Sequence, residues 1–369
     1  MINTYNFENF VNEVKAPPVQ PELSWRAVVI QLTHEALPEF KDFCRRQQIA
    51  VIDTFDRQLA DLALVKFPDT RNLKERQSFV TDRLAACGGQ AVCGNWVYLP
   101  WEKKVAHLLS EDDYFEVITN RNQDKITRDE QQVLRTKRIG VIGLSVGGEA
   151  AVTVAQEHLC GEIRLADFDR LDLSNLNRLN AGFDELGTAK VLIAARRIAR
   201  INPYLEVRIF DEGVTAENAI EFLDGLDLLI EECDHLQVKR DVRQLARGRD
   251  LNVIYAADER GFLSIEPYQY CADLRPFHGR AEQPQPPRQS FPTPLAFMQA
   301  LALWLGGWEN LSKRSQGSLE RIGQSLCGYP QLASEARYAA GQLGHVARRL
   351  LLGEKLPPFI GNLDLAELI

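Results

Sequence analysis

Two aspartates one residue apart, Asp167 and Asp169, are followed by the block Ser174-Asn175-Leu176-Asn177-Arg178. Gly187-Thr188-Ala189-Lys190 comes next, and later Glu231-Glu232-Cys233-Asp234-His235. These residue types suit a nucleoside triphosphate. A guanidinium meets phosphate oxygens bidentately and an ammonium meets them as a point charge, so Arg178 and Lys190 can hold phosphates. Mg²⁺ takes oxygen ligands from carboxylates and phosphates, and Asp234 and Asp169 can supply the former. Asp167 can bind ribose hydroxyls, and Asn175 can orient a phosphate or an incoming nucleophile.

The elements that must position these groups alternate along the chain. An apolar run, Ile139 to Ile142, enters the turn Gly143-Leu144-Ser145-Val146-Gly147-Gly148. A helical pattern follows from Ala150 to Leu159, and Ile163 to Ala166 reads as a second strand that ends at Asp167. Asp167 lies 19 residues after Gly148, about where a dinucleotide-binding unit places its ribose acid. Gly143, Gly147 and Gly148 lack bulk, so the backbone can approach a phosphate, and the helix N-terminus favours its negative charge. Ser145 stands where GxGxxG has its second glycine, and its hydroxyl can donate to a phosphate. The turn by itself leaves a nucleotide site and an ordinary strand-to-helix connection equally open.

Alternation continues through helix 188–201, strand 205–209, helix 216–223, strand 227–230, helix 238–247 and strand 253–255. That order predicts an α/β fold, a doubly wound, mainly parallel sheet with a Rossmann-type nucleotide site. Phe262 to Tyr268 is expected to add antiparallel strand. The polar loops then all lie at carboxyl ends of strands, over one crevice.

Gly-rich turn, DxD pair, S-N-L-N-R block, Gly-x-x-Lys helix start and strand-end Asp234, in this order, resemble the ThiF/MoeB/ubiquitin-activating (E1-like) superfamily of adenylating enzymes. The resemblance runs over residues 119 to 270 and extends to a closing helix at GQLGHVARRLLLGEKL. A narrower one, carried by Glu259-Arg260-Gly261 and YPQLASEA, points to a bacterial ThiF-like subgroup, some members of which are fused to a nitroreductase-like domain. The resemblance implies attack of a substrate carboxylate on the α-phosphorus of ATP·Mg²⁺, giving an acyl adenylate and pyrophosphate. By position, Asp167 binds ribose, Asp169 supports metal, Asn175 and Arg178 hold the triphosphate, Lys190 meets phosphate and Asp234 coordinates Mg²⁺. The family also brings an arginine N-terminal to the core to the γ-phosphate, often from a partner subunit. Arg121 is the first candidate and Arg128 the second. A homodimer is implied. The carboxylate belongs to a ubiquitin-like or sulfur-carrier C-terminus, a peptide or a small metabolite.

Departures from the family pattern bear on the chemistry. Its paired zinc cysteines are absent, and no zinc is expected. Neither Cys271 nor Cys327 sits in a matching thioester motif, so adenylation without a thioester step is the expectation. Two other readings stay open: a catalytically silent nucleotide-binding partner subunit, and an NAD- or FAD-binding oxidoreductase, in which Arg178 and Lys190 have no task. Singly, several residues fit plainer roles. Asp234 also fits a cap for the helix near Val238, Asn175 a turn, Lys190 a solvated helix position, and Cys233 a structural thiol. His235 and His278 fit polar loop or capping positions, and Trp304 and Trp308 fit core or dimer contacts.

The 369 residues carry a formal net charge of −8, with no long Lys/Arg run, which disfavours nucleic acid as a partner. The N-terminus lacks a charged-then-apolar leader pattern, and Leu295 to Trp308 is too short to span a bilayer, so a cytoplasmic location is expected. Seven cysteines without a CxxC pair suggest reduced, mostly buried thiols. Composition divides the chain into a polar arm with a Pro-rich linker (1–22), a small α/β N-terminal domain suited to substrate recognition (23–118) and the nucleotide-binding domain (119–369). The Pro- and Arg-rich stretch 272–294 reads as a lid or a disordered loop.

Overall fold

A computed structural model describes residues 4–15, 24–280, 291–293, 296–297, 302 and 307–367. Of the apolar helix expected from Leu295, only residues 296–297 and 302 are among them, and Trp304 and much of the Pro/Arg-rich loop lie outside. The chain forms two compact units, one of residues 1–131 with 195–206, the other of 132–194 with 207–369. No helix among the described residues is long and apolar enough to cross a membrane.

The first unit contains strands β1 (Thr4–Tyr5), β2 (Val28–Ile30), β3 (Ala50–Asp53), β4 (Asn95–Leu99) and β5 (Lys104–Leu108), in sheet order β1-β2-β4-β5-β3. Its helices are α1 (Phe7–Lys15), α2 (Leu37–Arg46), α3 (Phe55–Lys66), α4 (Leu73–Cys87) and α5 (Glu111–Thr119). The reading of the N-terminal segment as a polar arm needs correction for residues 4–15. Phe7, Phe10, Val11 and Val14 recur at the helical period and form one stripe, which packs on Phe40, Phe43 and Tyr98. Phe10 is fully buried. A second correction concerns the thiols: Cys87 and Cys93 form a disulfide, their Cα atoms brought to 5.1 Å by the turn that follows α4.

The second unit is built on a seven-stranded sheet. After α6 (Arg128–Leu134), which starts in the first unit, come β6 (Arg138–Ile142), α7 (Val146–Glu157), β7 (Glu162–Ala166), α8 (Lys190–Ile201), whose residues from 195 on belong to the first unit, β8 (Glu206–Phe210), α9 (Ala219–Leu223), β9 (Leu228–Glu231), α10 (Leu236–Arg247), β10 (Val253–Ala256) and β11 (Phe262–Glu266). Further helices α11 (Lys313–Leu319) and α12 (Ala333–Leu351) precede β12 (Phe359–Asn362). Strand order is β12-β11-β10-β9-β6-β7-β8. Strand β6 runs parallel to β7 and β9, and β9 runs parallel to β10. Strand β11 is antiparallel to β10, as Phe262–Tyr268 suggested, and β12 pairs antiparallel with β11. Strands β6, β9 and β10 are apolar runs because helices cover a parallel sheet on both faces. The register sets Ile142 opposite Ala166 on one side and Glu231 on the other. Three strands therefore end side by side at the point where the strand order reverses, where open α/β sheets bind ligands.

Candidate functional site

Gly143 leaves β6 with φ +81°, and a Cβ there would stand 2.7 Å from the carbonyl of Glu232 and 2.8 Å from the amide of Cys233. Only glycine permits that conformation beside that strand. Gly147 is also tight, its Cβ position 3.1 Å from Val141, whereas Gly148 has room, with Leu144 at 3.7 Å. The first glycine thus shapes the turn and the second lets α7 sit close to the sheet.

Asp167, 8% exposed, holds this turn in place. One carboxylate oxygen accepts from the Leu144 amide at 2.5 Å and the other from the Asp169 amide at 2.7 Å. Burial pushes its carboxyl up, and these two amides and Lys190 pull it back. Lys190 Nζ donates to Asp169 Oδ2 at 2.8 Å, and the Lys190 amide donates to the Asp169 carbonyl at 2.9 Å. The start of α8 is thereby fixed to the DxD pair. Asn175 is buried, and its Oδ1 accepts from the Asp172 amide at 3.0 Å, closing a short 3₁₀ turn. Asn175 shapes the block that presents Arg178.

Arg178 reaches back over the glycine turn. Its Nε meets Ser145 Oγ at 3.4 Å, and its Nη1 meets Asn177 Oδ1 at 3.0 Å. Among the described residues it has no carboxylate partner within 4 Å. Asp234 likewise has neither hydrogen bond nor ion pair among the described residues. The capping role that Asp234 could have had belongs to His235, whose Nδ1 accepts from the Val238 amide at 3.5 Å. The helix begins at Leu236, two residues earlier than its apolar pattern suggests, which leaves Asp234 free. Asp234 is exposed, yet desolvation by the surrounding protein raises its pKa, while Lys239 and Lys190 lower it and Glu231 and Asp169 raise it.

Arg178 and Asp234 both line a cavity of about 710 Å³. Tyr255, Phe262, Leu311, Leu319 and the segment 327–331, Cys327 included, line it as well. Arg121, on an exposed 3₁₀ turn at Asn120–Asn122, and Arg128, at the start of α6, belong to the first unit.

Sequence reasoning missed the support beneath this site. Glu231, fully buried, accepts from Lys239 Nζ at 2.8 Å, from the Cys233 amide at 2.9 Å and from Arg243. Burial alone would raise its pKa, but Lys239 and Arg243 together bring it down to about 2. Arg243 also donates to Glu266 at 2.7 Å, and Lys239 Nζ lies 3.8 Å from the Tyr255 ring centre. The signal was present, since Lys239 and Arg243 share the buried stripe of α10 with Leu236, Val242 and Ala246. A cation on an apolar stripe needs a buried anion. Glu232 is missed too. It accepts from the Ala256 amide at 2.8 Å, and burial holds its carboxyl well above the usual range.

Residues 119–263 match the ThiF family. An uncharacterized protein of Mycobacterium tuberculosis (strain CDC 1551 / Oshkosh) is 37% identical over 309 residues, 84% of this chain and 41% of that one. Ubiquitin-like modifier-activating enzyme 5 of Drosophila melanogaster is 27% identical over 165 residues, 41% of this chain and 40% of the enzyme. The chain therefore spans about two-fifths of the length of these relatives. A crystal structure of E. coli tRNA N6-threonylcarbamoyladenosine dehydratase with AMP is 18% identical at a TM-score of 0.44, covering 63% of this chain and 92% of that one.

Proposed function

We propose, from the premise that residues 119–263 are a ThiF family domain, that this protein adenylates a substrate carboxylate with ATP and releases pyrophosphate. The observation that carries the reading is a guanidinium and a carboxylate, Arg178 and Asp234, that line one cavity with no ion-pair partner among the described residues. Opposite charges without ion pairs beside a glycine turn suit a ligand that brings both anionic oxygens and a cation. A dinucleotide would leave Arg178 and Lys190 unused.

The chemistry asks the protein mainly to position and to neutralise. The Leu144 turn and the N-terminus of α7 face the nucleotide phosphates. Arg178 neutralises charge that grows on the α-phosphoryl oxygens as the carboxylate attacks, and Lys190 meets neighbouring oxygens after exchanging Asp169 for phosphate. Pyrophosphate leaves with the electron pair of the broken P–O bond. Asp167 already spends both oxygens on backbone amides, so a ribose hydroxyl shares its remaining lone pairs. Asp234 and Asp169 fit a divalent cation that arrives with the nucleotide, since Mg²⁺ commonly takes one or two carboxylates plus phosphates. Among the described residues no group of three or more His, Cys, Asp or Glu is placed to cage a metal alone. Arg121 or Arg128 remains the proposed γ-phosphate ligand. The relative's name suggests a ubiquitin-like protein as one source of the carboxylate.

The test is exchange of labelled pyrophosphate into ATP, with candidate carboxylates and cell extract as acceptors. Arg178→Ala and Asp234→Ala are each expected to lower exchange by about 10²–10³-fold with unfolding temperature unchanged. Failure of ATP·Mg²⁺ to bind would sink the reading, and full activity in both variants would sink the residue roles.

A further inference from the structure

Most side-chain donors around the cavity are already spent on the protein. Tyr329 gives its hydroxyl to Glu259 at 2.7 Å, and Gln331 Nε2 donates to Asp258 at 2.7 Å. Asn177 Nδ2 donates to the Gln331 carbonyl at 2.8 Å, and Asn362 Nδ2 faces the carbonyls of Arg260 and Asn310 at 3.4 Å. Ser174 also lines the cavity, but it is exposed and open to water. Tyr255 differs from all of these. It lines the cavity while being only 7% exposed, and its hydroxyl makes no hydrogen bond among the described residues. A tyrosine hydroxyl this deep in a protein usually has a partner.

The rest of the phenol is held by protein. Lys239 Nζ sits 3.8 Å from the ring centre, and the Phe262 and Phe277 rings stand edge-on to it at 5.9 Å and 5.8 Å. With the ring packed in this way, the hydroxyl end is the part left for the cavity. The charges that act on that hydroxyl agree: Asp234 and Asp258, which line the cavity, and Glu232 and Glu231 at the end of β9. Burial and then these four carboxylates push the phenol well above its ordinary range, so it stays protonated and remains a donor. A carboxylate acceptor entering here is repelled by Asp234 and Asp258, and Arg178 is engaged by the nucleotide. The Tyr255 hydroxyl is a neutral donor still available to it.

We propose that Tyr255 binds the acceptor, its hydroxyl donating to the carboxylate oxygen that does not attack. This rests on the adenylation reading above. One acceptor oxygen forms the bond to the α-phosphorus as the bond to pyrophosphate breaks. The other becomes the acyl carbonyl and keeps the Tyr255 hydrogen bond throughout. No proton leaves the phenol. The hydroxyl thereby fixes which oxygen is presented to the nucleotide.

The experiment is calorimetry with AMP, adenosine sulfamate and the N-acetyl derivative of adenosine sulfamate, a stable mimic of an acetyl adenylate. Binding of ATP·Mg²⁺ is measured in parallel. The wild-type protein is expected to bind the N-acetyl derivative at least about tenfold more tightly than adenosine sulfamate, the scale of one hydrogen bond to a charged group. Tyr255→Phe keeps the ring beside Lys239 and should erase most of that preference while leaving AMP affinity unchanged. A preference that survives in Tyr255→Phe overturns the proposal, as does a wild-type protein that shows none. Equal weakening of all the probes overturns it too, because the hydroxyl would then serve the nucleotide or the fold. AMP affinity reports whether the nucleotide half is intact, so a lower melting temperature in Tyr255→Phe leaves the preference decisive. Absent ATP·Mg²⁺ binding overturns the adenylation reading itself, whereas ATP binding without the acyl preference overturns only the role of Tyr255, so the two failures are distinguishable.

Discussion

Replacing Arg243 by methionine tests whether the buried ion network holds the end of β9 under the site. The wild-type guanidinium, fully buried, donates to Glu231, to Glu266 at 2.7 Å and to the Lys239 carbonyl at 3.0 Å. In Arg243→Met two buried carboxylates face the single ammonium of Lys239. Each retains other donors: Glu266 keeps the Tyr268 hydroxyl and the Phe277 amide, both at 2.5 Å, and Glu231 keeps Lys239 and the Cys233 amide. Breaking a buried pair from one side costs roughly 3–5 kcal/mol, and the shared donors place this case near the middle, about 4 kcal/mol. At ~2–4 °C per kcal/mol for a unit of this size, the melting temperature should fall by about 8–16 °C in calorimetry at neutral pH. Adding Glu266→Gln should recover part of the loss by removing the surplus charge. Acid adds a second check. Glu231 is held at about 2, below its ordinary 4.5, so its contribution is present above 4.5 and lost as pH falls toward 2. Arg243→Met should weaken that acid dependence. A loss under about 1 kcal/mol, with the acid limb unchanged, would refute the network's role.

Two further outcomes follow from the same geometry. Gly143→Ala forces a Cβ to 2.7 Å from the Glu232 backbone at φ +81°; about 2–4 kcal/mol of stability and most ATP affinity should vanish, as thermal unfolding and calorimetry would reveal. Unchanged values for both would mean the turn is not rigid. Glu335 is pushed to about 7 by burial and by Glu259 and Asp258, so the native state binds its proton more tightly than the unfolded chain. Its stability contribution is complete below 4.5 and is lost as pH rises through about 7. Because the side chain is partly exposed, Glu335→Gln should gain only about 1–2 kcal/mol over wild type between pH 4 and pH 8 in denaturant titrations. Parallel pH curves would discard the argument.

The sheet was largely legible because parallel strands buried on both faces read as apolar runs. Ile139–Ile142, Ile163–Ala166 and Val253–Tyr255 fall within β6, β7 and β10. The loops at their ends were legible as chemistry, since acids, amides and cations crowd where apolar pattern stops. Three features were harder. Helix α1 hides a four-residue apolar stripe in a segment that is polar by composition. The cap at His235 moves a helix start that periodicity placed two residues late. The cavity beyond Asp234 draws on residues 258–262, 310–331 and 362. These come from separate loops and edge strands, so no single period encodes their meeting. The Cys87–Cys93 disulfide was unreadable for a related reason, because the turn after α4 rather than a spacing motif brings the sulfurs together.

The pairing of β12 with β11 also sets a timetable. Phe262 lies opposite Asn362, and at ribosomal rates of about 5–20 residues per second roughly 5–20 s separate the synthesis of the two partners. During that interval β11 presents an unpaired edge, a template for stray strands. The glycine turn, the DxD pair and Arg178 are all synthesised earlier and have strands β6, β7 and β9 to rest on. Asn362 and the strand that carries it arrive later. A nascent chain can therefore assemble its phosphate-facing half well before the opposite end of the cavity is closed.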